Sequence, residues 1–175
     1  MNNNLLVLGA GGYGTVVNEI ALEMNCFNRV AFIDDSFIAE KNYYNLDLIG
    51  RLNDCKMLTD SFDFAIVAIG NYNVRKKWIN ILKESGYRIP VIISPKAYVS
   101  SSAHCYEGVV IEPNASVMPN SRIGCGSYIS AGAVVNHNST VSGFCHIDCN
   151  SVIMTGSTVP EGTLVRSGEV YFNSL

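Results

Sequence analysis

Three histidines, His104, His137 and His146, are the residues of this chain best suited to acid–base chemistry. Imidazole is the side chain whose charge changes near neutral pH, so a neutral histidine can accept a proton from a reacting group. His137 and His146 are nine residues apart. The ordinary alternative is a histidine that is exposed or bonded to the backbone and has no catalytic role. The elements that position these rings decide between the catalytic and the structural interpretation.

A period of six residues governs the chain from residue 93 to residue 165. Neither a helix, at about 3.6 residues per turn, nor a strand, at about 2, has this period. A solenoid of short strands separated by turns does. Four positions after each aliphatic residue comes a small or β-branched one. The sequence therefore predicts a parallel β-helix of hexapeptide repeats, and only Cys105 departs from the aliphatic series of Ile93, Val99, Ile111, Val117, Ile123, Ile129, Val135, Val141, Ile147, Ile153, Val159 and Val165.

The repeat also places the histidines. About thirteen hexapeptides at roughly three to a coil make about four coils, so nine residues correspond to half a circuit. His137 and His146 then point from opposite sides of one prism, and they can meet only across an interface in a symmetric ring. A three-histidine zinc site, as in some hydratases of this fold, is disfavoured because His104 lies about 9 Å along the axis from His137. The last coil should be covered by residues 166–175, including Tyr171 and Phe172.

The first ninety residues have a different pattern, that of alternating strands and helices. An apolar strand, Leu5 to Leu8, leads into the glycine turn Gly9–Gly14 and then into a helical pattern. This arrangement aims backbone N–H groups at phosphate. A second strand, Val30 to Ile33, ends at Asp34 and Asp35, where an acidic residue would meet a ribose hydroxyl.

Two further strands complete the predicted parallel sheet. One, Phe64 to Ile69, ends at Gly70 and Asn71 and precedes a helix that carries Arg75. The other, Ile89 to Ile93, leads into the repeat. We predict two domains: a Rossmann-like α/β domain over 1–92 and the β-helix over 93–175.

The glycine turn has alternative interpretations. With its downstream acid it also fits an NAD-dependent oxidoreductase, but a full dinucleotide fold needs two mononucleotide halves, and only one precedes the repeat. A tight turn that uses glycine only for positive φ is a purely structural alternative.

Composition and net charge limit the kinds of partner and the compartment expected for this chain. The net charge is −3 and no run of Lys or Arg occurs, so we expect no nucleic-acid or membrane partner. The apolar stretch near the start is about four residues, shorter than a signal peptide or a membrane span, so we expect a cytoplasmic protein. Six cysteines without a C-x-x-C pair are expected to be reduced packing thiols.

Three motifs resemble a family of bacterial sugar acetyltransferases, which comprises sialic-acid O-acetyltransferases and N-acetyltransferases of UDP-4-amino-sugars such as that of bacillosamine synthesis. The resemblance covers residues 4 to about 165. It rests on the glycine turn Gly9–Gly14, on Phe32–Asp35 with Ala68–Lys77, and on Ala133–Asn138 followed by Val141–Ile147. It implies that the β-helix is left-handed.

The resemblance also implies site residues and partners. His137 would be the general base, assisted by Asn138, and His146 would contact acetyl-CoA across a homotrimer interface. The Thr155 backbone N–H, one coil after His137, is our candidate donor to the oxyanion, and Ser167 is a further expected cofactor contact. The nucleotide sugar would be held by Gly11, Gly12, Tyr13, Asp34, Asp35 and Gly70, with Asn71 and Arg75 as neighbours.

The sequence departs from the family pattern in three places. Asn138 stands where the bacillosamine enzyme has an acidic residue, and Tyr13 replaces the usual histidine of the glycine turn. The chain also ends about one or two coils before the usual C-terminus of the family. The expected reaction is acetyl transfer from acetyl-CoA to a nucleotide-linked sugar, at the 4-amino group of a UDP-amino-sugar. A sugar O-acetyltransferase and a nucleotide-sugar-binding scaffold without cofactor are the alternatives, beside the oxidoreductase.

Overall fold

The structure is a computed structural model that describes residues 2–36 and 46–173. The chain divides into two compact units, residues 1–90 and 91–175. The division lies between Pro90 and Val91, slightly before the predicted one, because the strand Ile92–Ile93 pairs within the second unit. No helix of the described ranges is long and apolar enough to cross a membrane.

In its described residues, the first unit is a parallel sheet with two α-helices. Its strands are β1 (Asn4–Leu8), β2 (Arg29–Ile33), β3 (Leu48–Gly50) and β4 (Phe64–Val67); its helices are α1 (Gly12–Met24) and α2 (Tyr72–Glu84), and a short 3₁₀ helix spans Leu52–Met57. The strand order is β3-β2-β1-β4. Leu5 to Leu8 in the central strand are fully buried, which explains their uninterrupted apolar run.

The fourth strand of this sheet was predicted wrongly. Leu48–Gly50 occupies the edge beside β2, whereas Ile92–Ile93 pairs with Val110–Ile111 in the second unit. Among the residues that the structure describes, a single bridge, between Phe64 and Arg88, joins the segment before the repeat to the sheet. Pro90 follows two residues later and has no N–H to continue the ladder.

The second unit is a parallel β-helix of two-residue strands that stack into three faces. In chain order the strands β5 to β18 are Ile92–Ile93, Tyr98–Val99, His104–Cys105, Val110–Ile111, Ser116–Val117, Arg122–Ile123, Tyr128–Ile129, Val134–Val135, Thr140–Val141, His146–Ile147, Val152–Ile153, Thr158–Val159, Leu164–Val165 and Val170–Tyr171. Face 1 contains β5, β8, β11, β14 and β17, face 2 contains β6, β9, β12, β15 and β18, and face 3 contains β7, β10, β13 and β16.

The predicted aliphatic column forms the core of this unit. In each strand the second residue points inward, and those from Ile111 to Val165 are fully buried with the small residues Ala115, Ala133 and Cys145. Each strand pairs with the strand one coil on, as Arg122 does with Thr140. Cys105 keeps its place in the column, and burial raises the pKa of its thiol to about 11, so it is a protonated packing thiol.

A second six-residue series, of residues with positive φ, forms the corners between the faces. One residue of each hexapeptide from 108 to 168 has a left-handed backbone, with φ between 56° and 73°. Glycine and asparagine are the residue types that tolerate this conformation, and Phe144 is the exception. The series is Gly108, Asn114, Asn120, Gly126, Gly132, Asn138, Phe144, Asn150, Gly156, Gly162 and Gly168.

The C-terminal segment adds another strand before it ends. Val170 and Tyr171 pair with β15, and the Tyr171 ring packs against the core, so it covers the last coil as expected. Phe172, which was expected to share this role, is exposed.

Replacement of one core residue should destabilise the β-helix far more than replacement of its neighbour in the same strand. We expect Ile123→Ala to lower the free energy of unfolding by about 2–5 kcal/mol, because it leaves a cavity in a fully buried column. Arg122→Ala, at the exposed position of β10, should change it by at most about 0.5 kcal/mol. Urea denaturation followed by circular dichroism measures both; equal losses would contradict the inward assignment.

Candidate active site

The glycine turn lies at the carboxyl edge of the first unit's sheet. It follows β1, whose neighbours are β2 on one side and β4 on the other. The chain leaves β1 toward β2 and later returns to β4, so the strand order reverses here. A crevice at such a reversal is where open parallel sheets bind their ligands.

The glycines of the turn divide into two groups. A side chain on Gly14 would overlap the carbonyl oxygen of Gly9, and a Cβ on Gly9, at φ 108°, would lie 2.7 Å from the Ala68 oxygen. These two glycines are required by backbone packing. By contrast, Gly11 and Gly12, and Gly70 after β4, have open space where a Cβ would be. The second group leaves room beside the first turn of α1 for a ligand.

Asp34 fastens the glycine turn to the end of β2. Its Oδ2 accepts a hydrogen bond of 2.8 Å from the Ala10 N–H, and its Oδ1 accepts from the N–H and hydroxyl of Ser36. Burial alone would raise the pKa of this carboxyl, but the hydrogen bonds from Ser36 and Ala10 hold it below its ordinary value. Asp35 similarly accepts from the Leu52 N–H at 3.2 Å. The ribose contact expected of this pair stays a prediction.

Arg75 and Asn71 shape the loop that contains Gly70. The Arg75 guanidinium is fully buried, and its Nη1 donates to the carbonyls of Ile69 and Gly70 at 2.8 and 2.9 Å. Its burial gives Arg75 a role in holding the loop; the position beside the substrate that was expected of it stays a prediction. The Asn71 side chain caps α2 by accepting from the Val74 N–H. Tyr13 lies half-buried in the first turn of α1.

His137 lies in the exposed corner between β12 on face 2 and β13 on face 3, and both its ring nitrogens have partners. Nδ1 is 2.9 Å from Nδ2 of Asn138, and Nε2 is 3.3 Å from the Thr155 hydroxyl one coil on. Asn138 in turn contacts Asn120, one coil earlier, with 3.2 Å between Oδ1 of Asn138 and Nδ2 of Asn120. The ring is therefore held in a polar column that crosses the coils.

His146 lies on face 1, in β14, and so on a different side of the prism from His137. Its Nε2 is 3.1 Å from the Ser130 hydroxyl and 3.9 Å from an Asp148 carboxylate oxygen, and its ring stands edge-on to Tyr128. The Ser167 hydroxyl donates to Asp148 at 2.7 Å.

The hydrogen bond from Ser167 is the main cause that holds the pKa of Asp148 below its ordinary value; that from the Cys149 N–H adds to it. His146, Asp148 and Ser167 thus form a second polar cluster. In the described ranges, no group of three or more His, Cys, Asp or Glu side chains is placed to hold a metal ion.

The comparisons with known proteins agree with this architecture. The model of the PglD N-terminal domain family matches residues 4–82. The acetyltransferase domain of PglB from Neisseria gonorrhoeae FA1090, solved in complex with acetyl coenzyme A, is 30% identical over 97% of this chain and 88% of its own, with a TM-score of 0.79. This chain belongs to the hexapeptide-repeat family of bacterial sugar acetyltransferases.

Two more distant structures share the fold of this acetyltransferase. A mutant of GDP-perosamine N-acetyl transferase from Caulobacter crescentus, in complex with CoA and GDP-perosamine, is 23% identical over 98% of this chain and 90% of its own, with a TM-score of 0.86. WeeI from Acinetobacter baumannii AYE is 20% identical over 98% and 92%, with a TM-score of 0.75. The predicted fold class, an α/β sheet followed by a left-handed β-helix, is confirmed.

Within this chain, the structure brings together some predicted residues and separates others. The Thr155 hydroxyl contacts His137, which Asn138 contacts on its other side, and the oxyanion contact expected of the Thr155 backbone N–H stays a prediction. Ser167 joins His146 through Asp148. Sequence reasoning missed Asp148, Ser130 and Asn120. The signal for Asn120 was present, because the six-residue series of glycine and asparagine puts it directly below Asn138.

The two groups of glycines should respond differently to alanine. We expect Gly14→Ala to destabilise the first unit by about 1–3 kcal/mol, because the added methyl meets the Gly9 carbonyl. Gly12→Ala should be neutral or stabilising by up to about 1 kcal/mol, because its methyl enters open space at the first helical residue. Thermal unfolding compares the two variants; a large loss in Gly12→Ala would contradict the open space.

Removal of the Ser167 hydroxyl should raise the pKa of Asp148 toward its ordinary value of 3.8, because the largest cause that lowers it is lost. A lowered carboxyl pKa stabilises the fold above its unfolded-state value and ceases to do so as the pH falls through the folded-state value. Ser167→Ala should therefore cost stability at pH 7 and nothing at a pH below both values. Carboxyl carbon NMR titration measures the pKa; an unchanged value in the variant would contradict the assignment.

Proposed function

We propose that this acetyltransferase moves an acetyl group from acetyl-CoA to the 4-amino group of a UDP-linked amino sugar, as a homotrimer, with His137 as general base. The observation that carries the proposal is the exposed His137 ring, held at both nitrogens by Asn138 and Thr155. The PglB acetyltransferase domain, bound to acetyl coenzyme A, supports the choice of donor.

The open side of the glycine turn supports a nucleotide-linked sugar as acceptor. A diphosphate at Gly11 and Gly12 would meet the first backbone N–H groups of α1, where the helix dipole favours negative charge. Gly70 would let the sugar nucleotide approach the neighbouring loop, whose carbonyls Arg75 fixes. The Caulobacter enzyme, solved with GDP-perosamine, is a relative of the same fold that takes such a ligand.

The chemistry needs one base and one oxyanion donor. The sugar amine attacks the thioester carbon, the new C–N bond forms, and His137 takes the proton that the nitrogen loses. The C–S bond then breaks, and the CoA sulfur leaves as a thiol with the proton that His137 gives up, which returns the imidazole to its neutral form. Such general-base assistance contributes on the order of 10² to 10⁴ in rate. The Thr155 backbone N–H is the proposed donor to the oxyanion, beside the hydroxyl that contacts Nε2.

An amine acceptor fits this base better than a hydroxyl. Asn138 orients the imidazole but brings no negative charge, unlike the acidic residue of the bacillosamine enzyme. A neutral amine already carries a nucleophilic lone pair and needs its proton removed only as the bond forms. A sugar hydroxyl is a weaker nucleophile and depends more on a strong base. N-acetylation is therefore proposed over O-acetylation.

The trimer is proposed because the two polar clusters lie on different sides of the prism. In a closed ring, the His137 corner of one subunit can face the His146 and Asp148 cluster of the next, so that two substrates meet between copies. The outward side of face 2, just before His137, is largely apolar and suits self-association: Tyr98, Val134, Val152 and Val170. A cytoplasmic protein without nucleic-acid or membrane partners is also proposed, in keeping with the net charge of −3.

Acetyl transfer can be followed by the release of the CoA thiol with a UDP-4-amino-sugar as acceptor. We expect His137→Ala to reduce turnover at least about a hundredfold, because the base is lost while the fold stays intact. His104→Ala, at an exposed position of face 3, should keep the wild-type rate and is the matched control.

Three outcomes would contradict parts of this proposal. A rate in His137→Ala within tenfold of wild type would remove the base assignment. Binding of the nucleotide sugar without thiol release would favour a binding scaffold. A monomer in sedimentation velocity would remove the shared site.

A further inference from the structure

Buried serine hydroxyls connect successive coils of the β-helix at the corner that contains His137. Ser139 is fully buried, and its Oγ donates to the Met154 carbonyl at 2.9 Å. Ser121, one coil earlier in the same column, donates in the same way to the Asn136 carbonyl at 2.8 Å. Each of these bonds therefore fixes a carbonyl of the same corner in the following coil.

A carbonyl fixed in this way also fixes the direction of the next backbone N–H. A trans peptide bond places its C=O and its N–H on opposite sides of the chain, and no peptide bond of the described ranges is cis. Because the Met154 carbonyl points inward to Ser139, the Thr155 N–H of the same peptide group points outward. The Ser157 N–H also donates to this carbonyl, at 3.1 Å, and closes the turn. Two donors therefore hold this peptide group, one at each lone pair of its oxygen.

The outward N–H groups of successive coils differ in what they meet. The His137 N–H, the counterpart of the Thr155 N–H one coil earlier, donates to Oδ1 of Asn136 at 3.0 Å. Pro119, a further coil earlier, has no N–H. Met154 stands where the earlier coil has Asn136, so it brings no amide oxygen. The exposed Thr155 makes no hydrogen bond through its N–H to any residue that the structure describes, and this donor is available to a ligand beside His137.

We propose that Ser139 is a positioning residue that directs the Thr155 N–H, through the Met154 carbonyl, toward the oxyanion that forms during acetyl transfer. The inference rests on the proposed function, in which the Thr155 N–H is the donor to that oxyanion. Ser139 itself is fully buried and does not touch the reacting atoms. Its contribution is preorganisation, because a donor that already points at the developing charge needs no reorientation during the reaction.

A double-mutant cycle on turnover tests whether Ser139 acts through this N–H. We expect Ser139→Ala to lower kcat about tenfold at an unchanged KM for the nucleotide sugar, because the lost interaction acts in the transition state. Thr155→Pro removes the N–H and should cost on the order of 10² to 10³ in kcat relative to Thr155→Ala, which keeps it. Proline fits this column, as Pro119 shows. In the Thr155→Pro background, Ser139→Ala should cost no further turnover. A tenfold loss in both backgrounds would overturn the proposal.

Two further variants separate this effect from a change in packing. Ser139→Cys keeps a hydrogen-bond donor, as the buried Cys145 does where its thiol donates to the Pro160 carbonyl at 3.0 Å. Its turnover should stay within about threefold of wild type. Ser127→Ala removes a hydroxyl that donates to the Ser142 carbonyl at 2.9 Å, the same kind of bond at a different corner, and should leave kcat unchanged. A loss in Ser127→Ala equal to that in Ser139→Ala would contradict the assignment.

The NMR order parameter of the Thr155 amide follows the fixed N–H without substrate. We expect a value near that of rigid backbone, about 0.85, in the wild type and in Ser139→Cys, and a lower value in Ser139→Ala. A wild-type value below about 0.6, or no change in Ser139→Ala, overturns the proposal. If Ser139→Ala does not fold, the wild-type value still decides. If no acetyl transfer is observed, the proposed function fails, while the order parameters still test the role of Ser139.

Discussion

The stacking of successive coils in strict register is the constraint on which the candidate site depends. Parallel pairing fixes the offset between neighbouring strands, so the residues of one corner repeat vertically at the strand spacing. A slip of one residue would exchange the inward aliphatic column for the outward residues and expose the core. The same register that protects Ile123 and Ile147 from water therefore brings Thr155 above His137 and Asn120 below Asn138.

At His137, the polar contacts are made by uncharged side chains that the register of the coils brings together. His137 is held by two uncharged side chains, an amide and a hydroxyl, at an exposed corner. His146 is placed beside a carboxylate, Asp148, whose own position depends on Ser167. In the proposed reaction, the uncharged column orients one imidazole for proton transfer, whereas the cluster with Asp148 offers a charged environment to a bound group. The two histidines are thus chemically distinct as well as spatially separate.

In the first unit, two charged side chains bind backbone groups of the unit itself. Asp34 and Arg75 are charged residues of the kind that binds a nucleotide sugar, yet each forms hydrogen bonds with backbone groups. Asp34 accepts from the Ala10 N–H, and Arg75 donates to the carbonyls of Ile69 and Gly70. Buried charges need such partners because desolvation would otherwise disfavour them. In the proposed function, the ligand occupies the open space at Gly11 and Gly12, and the N-terminus of α1 attracts its phosphates.

The sequence alone determined the β-helix, its inward column and the glycine turn, because these depend on short-range periodicity and on motifs that lie within a few residues. It placed His137 and His146 on different sides of the prism by counting residues around a coil. It did not determine that Ile92–Ile93 leaves the sheet for the β-helix, or that Leu48–Gly50 replaces it, since a short apolar segment fits either partner equally well. Only the tertiary structure decided that Arg75 is buried and that Asn120, Asn138, His137 and Thr155 form one column. Such contacts join residues a full coil apart, and their hydrogen bonds depend on side-chain directions that a linear pattern does not record.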